Sequence, residues 1–282
     1  MRKGDRVGEL MLRAAGLAVL RNWELKPEVA RSEIDFMVAQ LRLIEQSSWV
    51  GVGPMVRSVG DGYAEWAAVY DAPGNPIISA EQPVVWKMLD AYPPGAALDA
   101  ACGTGRHAER LVGTGHRVQG IDASPEMLER ARAKVPVASF SLARLNALPL
   151  EEASVDLAVC ALVLTHEADP SPAIKELAWV VQPGGHVVIA DLHPTNVGLG
   201  THAFYTNMGG NDGVVRNYVH LTSTYLSAFR QAGLEVTDCV ETLWGPEGAL
   251  ALPWADERPD LWRPARAGLP MTIVWETTRP AS

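Results

Sequence analysis

The stretch Ala97-Leu98-Asp99-Ala100-Ala101-Cys102-Gly103-Thr104-Gly105-Arg106 runs from a short apolar strand through a glycine turn into the start of a helix. Small residues in such a turn let the backbone itself touch a ligand, and the amides at the helix start favour its negative groups. On its own the signal is weak, because Gly103-x-Gly105-x-x-Ala108 also passes for a dinucleotide-binding fingerprint. What surrounds it must decide.

Downstream, short apolar runs alternate with helical segments. The runs are Ala96 to Ala101, Val118 to Ile121, Val137 to Leu142, Val155 to Leu164 and His186 to Ala190. The helical segments are Arg106 to Val112, Pro125 to Lys134, Pro172 to Val181 and Thr222 to Ala232. This alternation predicts an α/β fold with a parallel sheet, its crossovers placing helices on both faces. Two late strands, Leu234 to Leu243 and Met271 to Thr277, follow with no long helix between them and are expected to form an antiparallel pair at one edge.

Upstream, Ile34, Met37, Leu41 and Ile44 recur at helical spacing, as do Tyr63, Trp66, Ala67 and Tyr70 beyond a Gly-rich break from Val50 to Gly62. Residues 1–80 are therefore expected to form an N-terminal helical cap on a main domain of residues 81–282. Within that domain, residues 193–221 read as a lid and residues 244–270 as a Trp- and Pro-rich insertion.

The chain has 282 residues, 48% of them apolar, and a formal charge of −9. Its length supports a sizeable core, and its acidity argues against nucleic acid as a partner, since phosphate tracking needs clustered Lys and Arg. Cys102, Cys160 and Cys239 are odd in number and far apart, which fits a reducing cytoplasm and no metal site. Asp5, Glu9 and Arg13 interrupt the apolar start, and no run approaches the roughly 20 residues of a membrane span. The expectation is an unprocessed cytoplasmic protein, not a membrane protein, with a homo-oligomer allowed.

Three features refine the site. Asp99, a carboxylate inside the first strand, is a poor neighbour for a pyrophosphate but suits a ligand that carries an ammonium group. Asp122 ends the second strand in Gly120-Ile121-Asp122, where a carboxylate can accept two ribose hydroxyls. Gln182-Pro183-Gly184-Gly185-His186 makes a tight passage from a helix into the next strand. Together these segments resemble the class I S-adenosylmethionine-dependent methyltransferases, in particular the small-molecule branch that includes ubiquinone and natural-product enzymes. The resemblance covers about Tyr63 to Trp275. It implies a Rossmann-like sheet of seven strands, the last antiparallel, with S-adenosylmethionine across the ends of the first two strands and S-adenosylhomocysteine as product. It further implies Asp99, Ala101, Gly103 and Gly105 at the methionine part, Asp122 at the ribose, and Ala123 and Met127 at the adenine face. Leu145 and Asn146 belong to a segment like the family's adenine-edge motif, although Arg144 stands where an acid is usual. Tyr63 or Tyr70 is expected near the methionine end.

His166 and His193 follow the fourth and fifth strands, and His220 follows the expected lid, so these three are the candidate bases for a hydroxyl acceptor. His107, His116 and His186 read as surface or packing residues. Trp244, Trp254 and Trp262 either wall an apolar acceptor pocket or pack against the cap, while Trp23, Trp49, Trp66, Trp86 and Trp179 are expected in the core. The expected activity is methyl transfer to a small, largely apolar acceptor, first at oxygen and next at nitrogen or carbon. The rivals are a nicotinamide-dependent oxidoreductase and a non-methylating protein that keeps the cofactor pocket.

Overall fold

The computed structural model describes residues 3–46, 55–245 and 259–281. The elements begin with helices α1 (Lys3–Asn22) and α2 (Pro27–Gln46), strand β1 (Met55–Arg57), and helices α3 (Val59–Trp66) and α4 (Pro76–Leu89). Strands and helices then alternate: β2 (Ala96–Ala100), α5 (Arg106–Gly113), β3 (Arg117–Asp122), α6 (Pro125–Lys134), β4 (Ser139–Leu142), β5 (Val155–Ala161), α7 (Ser171–Val180) and β6 (Val181–Leu192). There follow α8 (Pro194–Gly198), β7 (Ala203–Thr206), β8 (Asp212–Val215), α9 (Thr222–Gln231), β9 (Glu235–Leu243), α10 (Pro259–Arg266) and β10 (Pro270–Thr278).

The chain divides into two compact units, one of residues 1–54, 74–76 and 243–270, the other of residues 55–73, 77–242 and 271–282. In the first, Ala14, Ala15 and Ala18 bury the small face of α1 against Trp262 and Ala265 of α10. The Arg21 guanidinium donates to the carbonyls of Pro264, Ala265 and Ala267 at 2.9 to 3.1 Å, satisfying the end of α10. Arg266 lies over the rings of Trp244 and Trp262 at 5.2 and 5.7 Å. Both indoles are thus spent on this helical unit, and the insertion carries a helix that the sequence did not announce. Trp254 and residues 47–54 lie outside the described residues. Helix α2 buries Ala30 and Glu33 and half-buries Phe36 and Met37, whereas Leu41, expected on the inner face, is 49% exposed. Trp23, at the end of α1, and Trp179, on the outer side of α7, are exposed and not core residues.

The second unit holds a seven-stranded sheet in the order β4-β3-β2-β5-β6-β10-β9. Neighbours among β4, β3, β2, β5 and β6 pair in parallel, and β10 runs antiparallel to β6. Thr242 bonds Thr272 while Thr237 bonds the Glu276 carbonyl, so β9 runs antiparallel to β10. Strand β2 is made of small residues and Leu98 and is buried almost throughout, as a strand covered on both faces must be. Gly120 admits no side chain, since a Cβ there would lie 2.5 Å from the Phe140 ring of β4. On one face Tyr225 and Phe229 of α9 meet Trp275 of β10, the Phe229 and Trp275 rings edge to face at 5.6 Å.

Residues 55–73 and 77–80, expected in the cap, lie in the unit of the sheet. The reason is pairing: β1 runs parallel to β8, and β8 with β7 makes an antiparallel hairpin, giving a second sheet in the order β1-β8-β7. The stretch expected as a lid therefore has its own strands. Strand order turns outward from β2 to β3 on one side and β5 on the other, which makes the carboxyl ends of these strands the natural ligand crevice.

Candidate functional site

The turn after β2 holds Ala101, Gly103 and Gly105 at positive φ of 57°, 53° and 84°. Ala101 in this region is a strained conformation of the kind that gathers at ligand sites. At Gly105 a Cβ would crowd Ala131 of α6 at 3.2 Å, so this glycine lets the two helices approach. At Gly103 a Cβ would meet no atom within 4 Å, and the outer face of the turn is open backbone.

Two carboxylates set the turn. Asp99 is 1% exposed, and its Oδ2 accepts from the Ala108 amide at 2.8 Å, so a strand residue caps the first turn of α5. Burial raises its pKa to about 6, against the opposing influence of His107, the Ala108 amide and Arg106. Asp122, at the end of β3, accepts from Gly103 N through Oδ2 and from Ser124 N through Oδ1, both at 2.8 Å. A carboxylate has about four acceptor positions, so these amides leave Asp122 capacity for a further donor such as a hydroxyl. Burial raises the Asp122 pKa, while the amides of Ser124, Gly103 and Ala123 work the other way. Ser124 caps α6 through Met127 N, which seats Met127 in the interior beside exposed Ala123. Leu145 is buried and belongs to the main core, whereas Asn146 is exposed in the turn closed between Arg144 and Ala147.

Several contacts here had no signal in the sequence, because they join residues far apart in the chain. Asp71 accepts from Thr104 Oγ1 and pairs with Lys134, each at 2.7 Å, which ties the segment after α3 to the glycine turn. Glu81 of α4 is fully buried between Arg106 at 2.9 Å and His107 at 3.2 Å. Burial pushes the Glu81 pKa up, but His107 and Arg106 outweigh it and hold the group below its ordinary value. His107, expected at the surface or in packing, is thus a member of a buried charged group.

The aromatic side of the site comes from α3 and the hairpin. Tyr63 lies 5.3 Å from the His166 ring, 5.6 Å from Trp66 and 6.1 Å from Tyr70, and Trp66 stacks on Tyr205 at 5.4 Å. Burial, then the phenol of Tyr70 and the charges of Asp122 and Asp191, raises the Tyr63 pKa well above the ordinary phenol value. Tyr70 is pushed up to about 12, again by burial first.

The three candidate histidines differ in what they are free to do. His166 Nδ1 lies 2.8 Å from the Arg216 carbonyl, which can only accept, so Nδ1 carries the hydrogen and Nε2 accepts from the Tyr63 hydroxyl at 2.7 Å. Burial lowers its pKa and keeps the ring neutral. His193 donates from Nε2 to Glu241 at 2.9 Å and caps α8 by accepting Thr195 N at Nδ1, so both nitrogens are occupied. His220 donates from Nε2 to the carbonyls of Leu164 and Glu167 and serves the turn before α7. Near them, Asp191 ends β6 fully buried, accepting from Thr165 N, Leu192 N and the Tyr225 hydroxyl. Burial raises its pKa to about 7.

Among the described residues, no cluster of His, Cys, Asp and Glu could hold a metal, and no helix is long and apolar enough to cross a membrane. Residues 98–189 match the family model described as a methyltransferase domain. An uncharacterized methyltransferase of Mycobacterium tuberculosis is 40% identical over 104 residues, 36% of this chain and 42% of that protein. The demethylmenaquinone methyltransferase of Renibacterium salmoninarum is 32% identical over 127 residues, 43% of this chain and 54% of that protein. The chain therefore spans about half the length of these curated relatives. A crystal structure of an S-adenosylmethionine-dependent methyltransferase from Mesorhizobium loti superposes with a TM-score of 0.53 at 23% identity, over 69% of this chain and 97% of that one. The open turn at Gly103 and the remaining acceptor capacity of Asp122 leave backbone and carboxylate available to a bound nucleoside. The unit that holds the seven-stranded sheet carries, over residues 98–189, a methyltransferase domain with the fold of the S-adenosylmethionine-dependent methyltransferases.

Proposed function

We propose that the protein transfers a methyl group from S-adenosylmethionine to a hydroxyl oxygen of a small, largely apolar acceptor. The single observation that carries this reading is the neutral His166, its Nδ1 tied to a carbonyl and its Nε2 lone pair facing a phenol at 2.7 Å. S-adenosylmethionine supplies an electrophilic methyl group on a sulfonium centre. Asp122 holds the ribose hydroxyls, Met127 and Ala123 border the adenine, and the open backbone of Gly103 admits the methionine part. Asp99, spent on Ala108, braces that turn from behind.

For a hydroxyl acceptor, the proton leaves through Tyr63: as the acceptor oxygen gains its methyl group, the Tyr63 hydroxyl gives its hydrogen to His166 Nε2 and takes the acceptor's proton. General-base assistance of this kind is worth about 10²- to 10⁴-fold in rate. Alignment of the acceptor against the aromatic group of Tyr63, Trp66, Tyr70 and Tyr205 supplies the remainder. The test is a screen of hydroxylated, aminated and quinone-like apolar molecules with methyl-labelled cofactor, the product's methyl position being read by NMR. O-methyl products from the parent and their loss in His166→Ala support the reading. Methylation at carbon or nitrogen, or no transfer to any acceptor by a protein that binds the cofactor, refutes the hydroxyl assignment.

A further inference from the structure

We propose that the helical unit holds an oxyanion site on Arg266, which takes a carboxylate or phosphate group against the indoles of Trp244 and Trp262. This site is separate from the methyl transfer proposed above and does not rest on it. Arg266 closes α10 and lies over the two indole rings at 5.2 and 5.7 Å. Among the described residues its guanidinium donates no hydrogen bond and meets no carboxylate. The usual work of an arginine in the last turn of a helix, satisfying the end carbonyls, is done here by Arg21. Nor is the chain short of acids, with 33 Asp and Glu against 24 Lys and Arg. Burial, then the charge of Arg13, brings the Arg266 pKa down to about 10, which leaves the group a cation at neutral pH.

A half-buried cation that feels a second cation is unfavourable until a negative group joins it. The indole faces offset part of that cost but accept none of the guanidinium N–H groups in its own plane. A second donor waits beside it: Trp262 is buried, and its Nε1–H has no acceptor. One oxyanion answers all three demands. It pairs with the guanidinium through two parallel bonds, gives the indole N–H an acceptor and screens Arg266 from Arg13. The indoles also keep the surroundings of these bonds apolar, which strengthens them and favours an oxyanion carried on an aromatic or other apolar body. Arg13, Trp244, Trp262 and Arg266 all belong to one compact unit, so the site is complete without the sheet.

The probes are benzoate, an aromatic carboxylate, and inorganic phosphate, each titrated into the full chain by calorimetry in chloride of about physiological strength, which screens diffuse attraction. At least one should bind with a Kd of about 1 mM or tighter and shift the indole N–H signal of Trp262 in proton–nitrogen NMR spectra, the signal being assigned by its loss in Trp262→Phe. Tighter binding of benzoate assigns the site to a carboxylate on an apolar body, and tighter binding of phosphate to a phosphorylated ligand. Arg266→Met, which keeps the stem without the charge, should weaken the better probe by at least about tenfold, and Arg266→Lys, which keeps the charge without the fork, should fall between. In urea titrations that probe should stabilise the parent and not Arg266→Met. Binding of both probes weaker than about 1 mM by the folded parent, or a smaller loss than tenfold in folded Arg266→Met, overturns the site. If Arg266→Met does not fold, unchanged affinity in Trp262→Phe overturns it instead.

Discussion

The Tyr63 hydroxyl and His166 Nε2 meet at 2.7 Å although 103 residues separate them in the chain. The bond joins α3 to the turn after β5, and its direction is set on the far side of the imidazole, where Nδ1 is committed to the Arg216 carbonyl. The same bond that settles the tautomer keeps the one usable lone pair at the carboxyl edge of the sheet.

Replacing His166 by Ala should therefore lower turnover of a hydroxyl acceptor by at least about tenfold and leave S-adenosylhomocysteine affinity nearly intact. Tyr63→Phe, which removes only the hydroxyl, should show a smaller loss of the same kind. Since burial lowers the His166 pKa, the basic form prevails above the ordinary imidazole value, and the rate should fall only as pH drops below about 6.5. Parent-like turnover in folded His166→Ala across this range would sink the base assignment.

His193 and His220 should behave differently. Removing His193 uncaps Thr195 and frees Glu241, and loss of a helix cap costs about 0.5 to 2 kcal/mol. Removing His220 leaves two carbonyls without their donor. Urea unfolding of both Ala variants should show lowered stability, with turnover per folded molecule within about threefold of the parent. A large drop in turnover without a stability change would return either residue to the list of bases.

The sheet was legible because its strands and helices are local: the glycine turn and the apolar runs each show within a dozen residues. The order of the small second sheet was not, since β1 finds its partner β8 more than a hundred and fifty residues later and neither has an apolar alternation of its own. For the same reason Asp122 could be named from its place after a strand, whereas Glu81 and Asp71 could not. Their carboxylates matter through Arg106, Thr104 and Lys134, which only the fold brings to them. The sequence shows that His166 and His193 follow strands, but what each ring nitrogen bonds depends on carbonyls, amides and carboxylates that no spacing reveals.

Gly120 offers a test of the packing that sets this edge. An added methyl group would collide with the Phe140 ring at 2.5 Å and with Cys102 Sγ at 3.1 Å. Gly120→Ala should destabilise the protein by about 1 to 3 kcal/mol, as overpacking typically does. Pairing it with Phe140→Leu should recover part of the loss in urea titrations, and full additivity of the two changes would argue against this contact as the cause.

Asp122→Ala should weaken S-adenosylhomocysteine by more than about tenfold, since hydrogen bonds to a charged group are each worth about 1.5 to 3 kcal/mol. The variant also releases the amides of Gly103 and Ser124, so Asp122→Asn is the cleaner comparison. It keeps one acceptor oxygen and should fall between parent and Ala. Calorimetry that finds all three alike would remove Asp122 from the ribose.

The last expectation concerns stability and pH, and it turns on Asp191. Its carboxyl is fully buried and titrates near 7 in the folded protein, against an ordinary value of 3.8. Between these two values the folded state holds a proton that the unfolded chain has lost. Stability linked to this group is therefore complete below about pH 4 and declines as pH rises towards 7, by up to about 1.4 kcal/mol per pH unit. The hydrogen bonds from Leu192, Tyr225 and Thr165 stabilise the carboxylate but do not offset its burial. Asp191→Asn keeps the size and cannot ionise, so it should flatten this part of the stability profile and leave the variant relatively more stable at pH 8 than at pH 5. Urea unfolding of parent and variant at half-unit steps from pH 4.5 to 8 measures the difference directly. A constant difference across that range would mean that Asp191 is ionised in the fold, and its partners would then have to outweigh the cost of burying its charge.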